Sequence, residues 1–228
     1  MLHNPPLLTI HRGFRRADPA LVARFLGAQT SHLCDAMDGR GALNYRIKPL
    51  DPDRSVFAGP ALTAHSYPAD VVGMFGALAE AKAGDVIVVA NDGYAETAVV
   101  GDLAVGMMRN KGVAAFVTDG LARDKAGIVA TNVPVFCQGI SPNSPGKYGK
   151  GTVGVAVTLG GVHVEPGDIV VGDADGVVVV PLALAETVLA RLEEVRAAEA
   201  KTVQKVAEGL TLPGLMADIL ANAEIVER

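Results

Sequence analysis

Residues 101–124 read GDLAVGMMRNKGVAAFVTDGLARD, and the reading of this stretch decides the fold. A turn glycine and an acidic residue open it, and Leu103, Val105, Met107 and Met108 follow as apolar helix positions. Asp102 is placed to cap that helix, Lys111 falls in its last turn and Gly112 stops it. Val113 to Val117 is then a short apolar run of the buried parallel-strand type. The stretch closes on Arg123-Asp124, with twenty residues between Asp102 and Arg123. A charge at a helix start and a charged pair past a strand end can meet at one mouth. Open α/β sheets place ligands at such mouths, at the carboxyl ends of their strands.

The flanking sequence repeats the pattern. Ala69 to Ala83 has helical spacing at Val72, Phe75, Leu78 and Ala79, and Gly84 ends it. Val86 to Val89 follows as a second apolar strand. Strand, helix and strand thus recur about every 25 residues, which predicts βαβ units with right-handed crossovers. Val133 to Phe136 is a third strand. Ser55 to His65 is another, with Gly59-Pro60 marking a bulge or edge. Asp18-Pro19 opens a helix running through Val22 and Phe25 toward Leu26. A second short helix starts near Thr30 or Ser31, carries Asp35 and Asp38, and ends before Gly39-Arg40-Gly41.

Downstream the character changes. Residues 139–151, GISPNSPGKYGKG, form a loop that holds Lys147. Val153–Leu159, Val162–Val164, Ile169–Val171 and Val177–Val180 are short β runs divided by turn signals, and predict an antiparallel or mixed sheet. A long helix spans about Leu182 to Glu208, stopped by Gly209, and Pro213 opens a last short one. The expected architecture is a single α/β domain over residues 1–228. It has a parallel part, an antiparallel part and helices outside, with 1–17 as an N-terminal arm and 182–228 as C-terminal helices. The basic HRGFRR run of residues 11–16 reads as a solvated tail or a subunit-contact arm.

Composition narrows the function classes. Of 228 residues half are hydrophobic but only 4% aromatic, with no Trp, so the core is Val, Ala, Leu and Ile, packed closely with help from 26 glycines. A net charge of −5 gives no basic face for nucleic acid. No apolar run reaches the roughly 18 residues of a membrane span, and no secretory signal is visible at the N-terminus. Cys34 and Cys137 form no CxxC pair; both read as small packed residues in a reduced cytoplasm. Phosphate-loop, dinucleotide, zinc-peptidase and EF-hand motifs are all absent.

Three features carry chemistry, each beside a plainer reading. The first N–H groups of a helix beginning at Gly101-Asp102-Leu103-Ala104 lack intrahelical partners and suit a small carboxylate or phosphate; otherwise Asp102 is only a cap. Arg123 offers a planar donor fork for a carboxylate or a developing enolate, and Asp124 a hard oxygen for Mg²⁺ or Mn²⁺; otherwise the pair is a surface salt bridge. Glu199 interrupts the apolar seam of Leu184, Val188, Leu192, Val195, Val203 and Val206. A carboxylate there needs a cation, metal-held water or a neighbouring subunit's site; otherwise the helix leaves the body at that point.

Gly101-Asp102 with Arg123-Asp124 at this spacing resembles the motif of the RraA-like family. Within it the chain is similar to the class II pyruvate aldolases acting on 4-hydroxy-4-methyl-2-oxoglutarate and 4-carboxy-4-hydroxy-2-oxoadipate. Residues 161–181, GVHVEPGDIVVGDADGVVVVP, and the preceding PVFCQGISPNSPGK resemble the family's segments. The likeness covers roughly Asp18 to Gly209. It implies a swivelling β/β/α fold of three layers with a long C-terminal helix. It also implies a homotrimer, or a hexamer of stacked trimers, with sites between subunits. By resemblance Asp124 is the direct ligand of Mg²⁺ or Mn²⁺, Asp102 holds water on that metal, and Arg123 binds the substrate carbonyl and stabilises the enolate. The Gly101, Asp102, Leu103 and Ala104 amides seat the pyruvate carboxylate, Lys147 lies on the substrate side, and Glu199 reaches a neighbour's site. The family has a Glu shortly before its Gly-Arg pair; here Asp35 and Asp38 compete for that role. The implied activity is cleavage of short 2-oxo acids to pyruvate, with oxaloacetate decarboxylation alongside. The rival is a protein-binding regulator of a ribonuclease. A methyltransferase reading has no glycine-rich loop after a first strand to support it.

Overall fold

The computed structural model describes residues 6–226. Its strands are β1 (Leu8–Ile10), β2 (Lys48–Pro49), β3 (Phe57–Ser66), β4 (Val86–Ala90), β5 (Ala98–Val100), β6 (Ala115–Thr118), β7 (Leu121–Ala122), β8 (Val135–Cys137), β9 (Gly151–Val153), β10 (Val157–Leu159), β11 (Val162–Val164), β12 (Ile169–Gly172) and β13 (Val177–Val180). Its helices are α1 (Pro19–Ala23), α2 (Thr30–Ala36), α3 (Val72–Glu80), α4 (Asp102–Asn110), α5 (Lys125–Ala130), α6 (Ala185–Ala207) and α7 (Gly214–Ala221).

β3, β4, β6 and β8 lie side by side and parallel. α3, α4 and α5 make the crossovers between them in turn, so the βαβ repeat read around residues 101–124 is the frame of the molecule. β3 also belongs to a second sheet. Its Phe57–Pro60 half pairs antiparallel with β12, which pairs with β13, while Ala61–His65 pairs with β4 and Ala64–Ser66 with β9. Both faces of the strands are covered, and successive residues go to opposite sides. Ile87 and Val89 of β4 pack under the crossover helices with Met74, Val105 and Met108, whereas Val86, Val88 and Ala90 pack against Val170, Val177 and Val179 of the second sheet. The outer face of that sheet, Ile169, Val171, Val178 and Val180, is covered by α2 and α6 through Leu33, Ala36, Val188 and Leu192. This is the swivelling β/β/α arrangement: a parallel sheet, an antiparallel sheet and a long C-terminal helix.

The structure departs from the sequence reading at several elements. The Val153–Leu159 run breaks at Gly154, whose φ is +75° and where an added Cβ would lie 2.0 Å from the His11 carbonyl oxygen. The helix expected over 69–83 is shorter because Asp70 Oδ1 accepts from Val72 N at 2.8 Å and begins it there. The long helix starts at Ala185, after a 3₁₀ turn over Leu182–Leu184. Its seam serves only its first half: Val188, Leu189 and Leu192 are buried, while Leu184, Val203 and Val206 are exposed. No residue of α7 is buried. β2, β5, β7 and α5 carry too few residues to show a period.

The largest correction concerns the N-terminal arm. β1 pairs in parallel with β9, and the basic run beyond it, though His11, Arg12 and Arg15 stay exposed, is tied to the body by two ion pairs. Arg12 forms a two-pronged pair with Glu80, and Arg16 with Asp85 at 2.8 and 3.0 Å. Asp85 is 1% exposed, and a carboxylate so deep needs a cation. Replacing Arg16 with Ala leaves that charge unpaired, and is expected to lower stability by roughly 3 kcal/mol, read by urea denaturation. An unchanged midpoint would mean that the Lys82 N–H, also on Asp85, suffices alone.

Candidate functional site

β5 and β7 pair in parallel, Ala98 with Leu121 and Val100 with Ala122, and Arg123 N donates to Val100 O at 3.0 Å. This small ladder brings Gly101 against Arg123-Asp124 across twenty-one intervening residues. The approach is close: a Cβ on Gly101 would lie 2.8 Å from Asp124 Oδ2 and 3.2 Å from Arg123 Nε, so a larger residue would displace both side chains. Asp124 has φ +57° and stands at the start of α5, a left-handed position that Asp tolerates better than most residues. The same tightness recurs where α4 meets α5, since a Cβ on Gly127 would lie 2.5 Å from Asp102 Oδ2.

At the start of α4 the expected roles shift by one residue. Gly101 occupies the cap position and Asp102 is the first helical residue. Asp102 Oδ1 accepts from its neighbour Leu103 N at 2.7 Å, so that N–H is taken. The Gly101, Asp102 and Ala104 N–H groups have no acceptor among the described residues, and those of Asp102 and Ala104 point from the positive end of the helix. The anion seat is therefore narrower than the four-residue one expected.

Arg123 Nη1 donates to Ser144 Oγ at 2.6 Å, and Arg123 Nε lies 3.3 Å from Asp124 Oδ2. These groups line a pocket of about 280 Å³. One wall is Val71, Met74 and Phe75 around α3; another is Val99 to Ala104 with Met107; the third is Ser144, Pro145 and Lys147. Lys147 makes no ion pair among the described residues. Gly101, Asp102, Leu103, Ala104, Arg123, Asp124 and Lys147 are thus gathered at one place.

Asp35 and Glu199 are not. Asp35 is exposed on α2, and Glu199 on α6 is half exposed and in contact with His32 Nε2 of α2. Both helices pack on the outer face of β12 and β13, across the β layers from the pocket. Asp38 pairs with Arg191, which holds its carboxyl below the usual carboxylate range. Sequence reading missed Ser144, which sits in a patternless loop, and Asp70, whose place just before a helix was a readable capping signal.

The donors suit a hard divalent cation. No group of three or more His, Cys, Asp or Glu that could hold a metal is present among the described residues. A cation here would take Asp124, with Asp102 nearby, and fill its remaining positions with water, as Mg²⁺ does. Burial pushes the Cys34 and Cys137 thiols up, in keeping with small packed residues. No helix among the described residues is long and apolar enough to cross a membrane.

Comparison with known proteins places the chain. A relative from Halalkalibacterium halodurans, named "Putative 4-hydroxy-4-methyl-2-oxoglutarate aldolase", is 38% identical over 182 residues, 80% of this chain and 86% of the relative. The crystal structure of Streptomyces coelicolor RraAS2, described as an unusual member of the RNase ES inhibitor RraA protein family, has a TM-score of 0.75 at 30% identity. It covers 83% of this chain and all of that one. An uncharacterized Pseudomonas syringae protein of known structure gives 0.76 at 27% identity, covering 87% and 97%. With the family model for Aldolase/RraA matching residues 30–179 as well, the chain belongs to the RraA-like family.

Proposed function

We propose that the chain is a divalent-metal-dependent (class II) pyruvate aldolase. Its substrates would be short 4-hydroxy-2-oxo acids of the 4-hydroxy-4-methyl-2-oxoglutarate and 4-carboxy-4-hydroxy-2-oxoadipate kind, with oxaloacetate decarboxylation alongside. The observation that carries the reading is the meeting of Asp124, Asp102, Arg123 and the Gly101, Asp102 and Ala104 N–H groups, which have no acceptor among the described residues, at one pocket. The similarity to the Halalkalibacterium protein supports it.

Asp124 would hold Mg²⁺ or Mn²⁺ directly, with Asp102 at its side; such an ion supplies Lewis-acid polarisation of a 2-oxo group. The substrate's C1 carboxylate sits on the Asp102 and Ala104 N–H groups. In the retro-aldol step the C4 hydroxyl gives up its proton, taken by Asp102 through an intervening water, and the C3–C4 bond breaks. Its electron pair becomes the pyruvate enolate, which is then protonated at C3. Loss of CO₂ from oxaloacetate reaches the same enolate. Arg123 donates to the C2 oxygen as negative charge gathers there, the moment at which a fixed donor helps most. Lys147 receives the substrate's distal carboxylate.

Glu199 and Asp35 act, on this reading, from a neighbouring subunit of a homotrimer or of two stacked trimers. The exposed apolar residues of the second half of α6 and of α7, among them Val203, Val206, Leu215 and Ile219, support such an assembly. The likeness to RraAS2 favours one other reading, a non-catalytic ribonuclease regulator.

Purified protein with Mg²⁺ is expected to release pyruvate from 4-hydroxy-4-methyl-2-oxoglutarate and from oxaloacetate, and EDTA to stop both. No release from either, with retention of a ribonuclease in a pull-down, would replace the aldolase by the regulator. Asp124→Ala is expected to remove metal-dependent turnover; an active variant would refute its role. Arg123→Ala should lower kcat by about 10²–10³-fold, the usual cost of losing one pre-aimed donor, measured at saturating oxaloacetate.

A further inference from the structure

Three of the pocket residues, Ser144, Pro145 and Lys147, lie in a connection between β8 and β9 that has no helix or strand of its own over residues 141–150. A chain rich in Gly, Pro and Ser does not hold one shape unaided. Its first residues are tied to β7 and just ahead of β5, Ser141 N donating to Ala122 O at 2.9 Å and Asn143 Nδ2 to Glu96 O at 3.0 Å, and a buried carboxylate holds the rest. Asp70, 5% exposed, accepts at Oδ2 from Tyr148 N at 2.9 Å and Gly149 N at 2.8 Å, and at Oδ1 from Val72 N at 2.8 Å. Glycine makes the room: a Cβ on Gly149 would lie 2.8 Å from Asp70 Cγ, and one on Gly146 3.2 Å from Asp70 Oδ2. Gly146 N also donates to Ala69 O at 2.6 Å. One side chain thus ties the loop wall of the pocket to the α3 wall that carries Val71, Met74 and Phe75. Ser144, on the loop so tied, is the residue whose hydroxyl accepts from Arg123 Nη1.

We propose that Asp70 and Ser144 form a positioning pair for Arg123. Asp70 fixes residues 146–149 against the start of α3, and Ser144, held between that anchor and the one at Asn143, sets the direction of the Arg123 guanidinium. Neither residue needs to touch the reacting atoms. A simple helix cap would use one carboxylate oxygen on α3; Asp70 spends its other oxygen on two N–H groups of a segment nearly eighty residues away in sequence. Its kinetic consequence rests on the aldolase reading; its effect on the Arg123 side chain does not.

The test compares Ser144→Ala, Ser144→Thr and Asp70→Asn with the wild type. Asn keeps one acceptor oxygen and loses the other, so it cannot serve helix and loop together. With oxaloacetate and Mg²⁺, Ser144→Ala is expected to lower kcat by roughly ten- to a hundredfold, the scale of a small misplacement of a catalytic group. KM should move far less, and Ser144→Thr should restore kcat. Asp70→Asn should give the same kcat loss and faster amide exchange at Tyr148 and Gly149, with the amides of β4 and β6 as protected as before. In metal-free protein the Arg123 Nε–H resonance should shift or broaden in Ser144→Ala and Asp70→Asn and recover in Ser144→Thr. Wild-type kinetics in Ser144→Ala would overturn the proposal. So would an unchanged Arg123 resonance, or an Asp70→Asn loss that comes with exchange throughout the sheet. If the wild type itself releases no pyruvate, the aldolase reading fails, and the resonance and amide exchange decide the pair alone.

Discussion

One strand has to satisfy its backbone against three others. β3 pairs with β12 through its first residues, with β4 along most of the rest, and with β9 at its end. Because paired backbone groups cannot be surrendered inside a core without loss, this arrangement fixes how the two sheets meet. It also fixes how closely other chain must approach β3. A Cβ on Gly73 would lie 2.1 Å from the His65 carbonyl oxygen, and one on Gly59 2.4 Å from that of Gly84. α3 therefore starts hard against the end of β3, and its Val71, Met74 and Phe75 become a wall of the pocket instead of part of a helix standing off from it.

The frame of the fold was legible because it is written in long apolar periods. Val86–Val89, the α4 helix and Val113–Val117 each formed the element expected within about two residues, the ordinary uncertainty at element ends, although α4 buries Ala104, Val105 and Met108 and leaves Leu103 and Met107 exposed. What escaped were elements too short to have a period, such as β5 and β7, whose pairing depends on contacts far away in sequence. The N-terminal run escaped for a different reason. Its arginines read as solvated charge, and only the fold reveals Asp85 buried on the other side of the pair. A seam can also be read too far: the α6 pattern continues to Val206 although the body ends near Val195, because periodicity records what a helix covers without saying whose surface does the covering.

The site was legible in its residue types more than in their geometry. Gly101, Asp102, Arg123 and Asp124 were found by spacing and by resemblance, and they do converge. Yet a shift of one residue changes the chemistry of the helix start. With Gly101 at the cap, Asp102 turns its carboxylate to the Leu103 N–H, so a seat that looked open to four amides keeps three, those of Gly101, Asp102 and Ala104. Ser144 and Asp70 show the same limit from the other direction. A serine in SPNSPGK has no pattern to set it apart, and a capping aspartate gives no hint that it also binds a distant loop.

The positions of Asp35 and Glu199 bear on how such a site could be completed. α2 and α6 lie beyond the second sheet, and no change of side-chain rotamer carries either residue through two β layers. If these carboxylates serve a pocket, it is another chain's. α6 has the reach for that: its 23 residues extend about 35 Å at 1.5 Å per residue, and only the first part is buried against its own body. Glu199, which touches His32 of its own chain, stands where α6 leaves the body, and beyond it lie exposed Val203 and Val206, an apolar stripe that is stable in water chiefly when something covers it. The segment that would deliver an acid to a neighbour is thus the segment that would be buried by reaching it. On the proposed reading, assembly and completion of the site are one event, driven by apolar contact and reported by a single carboxylate.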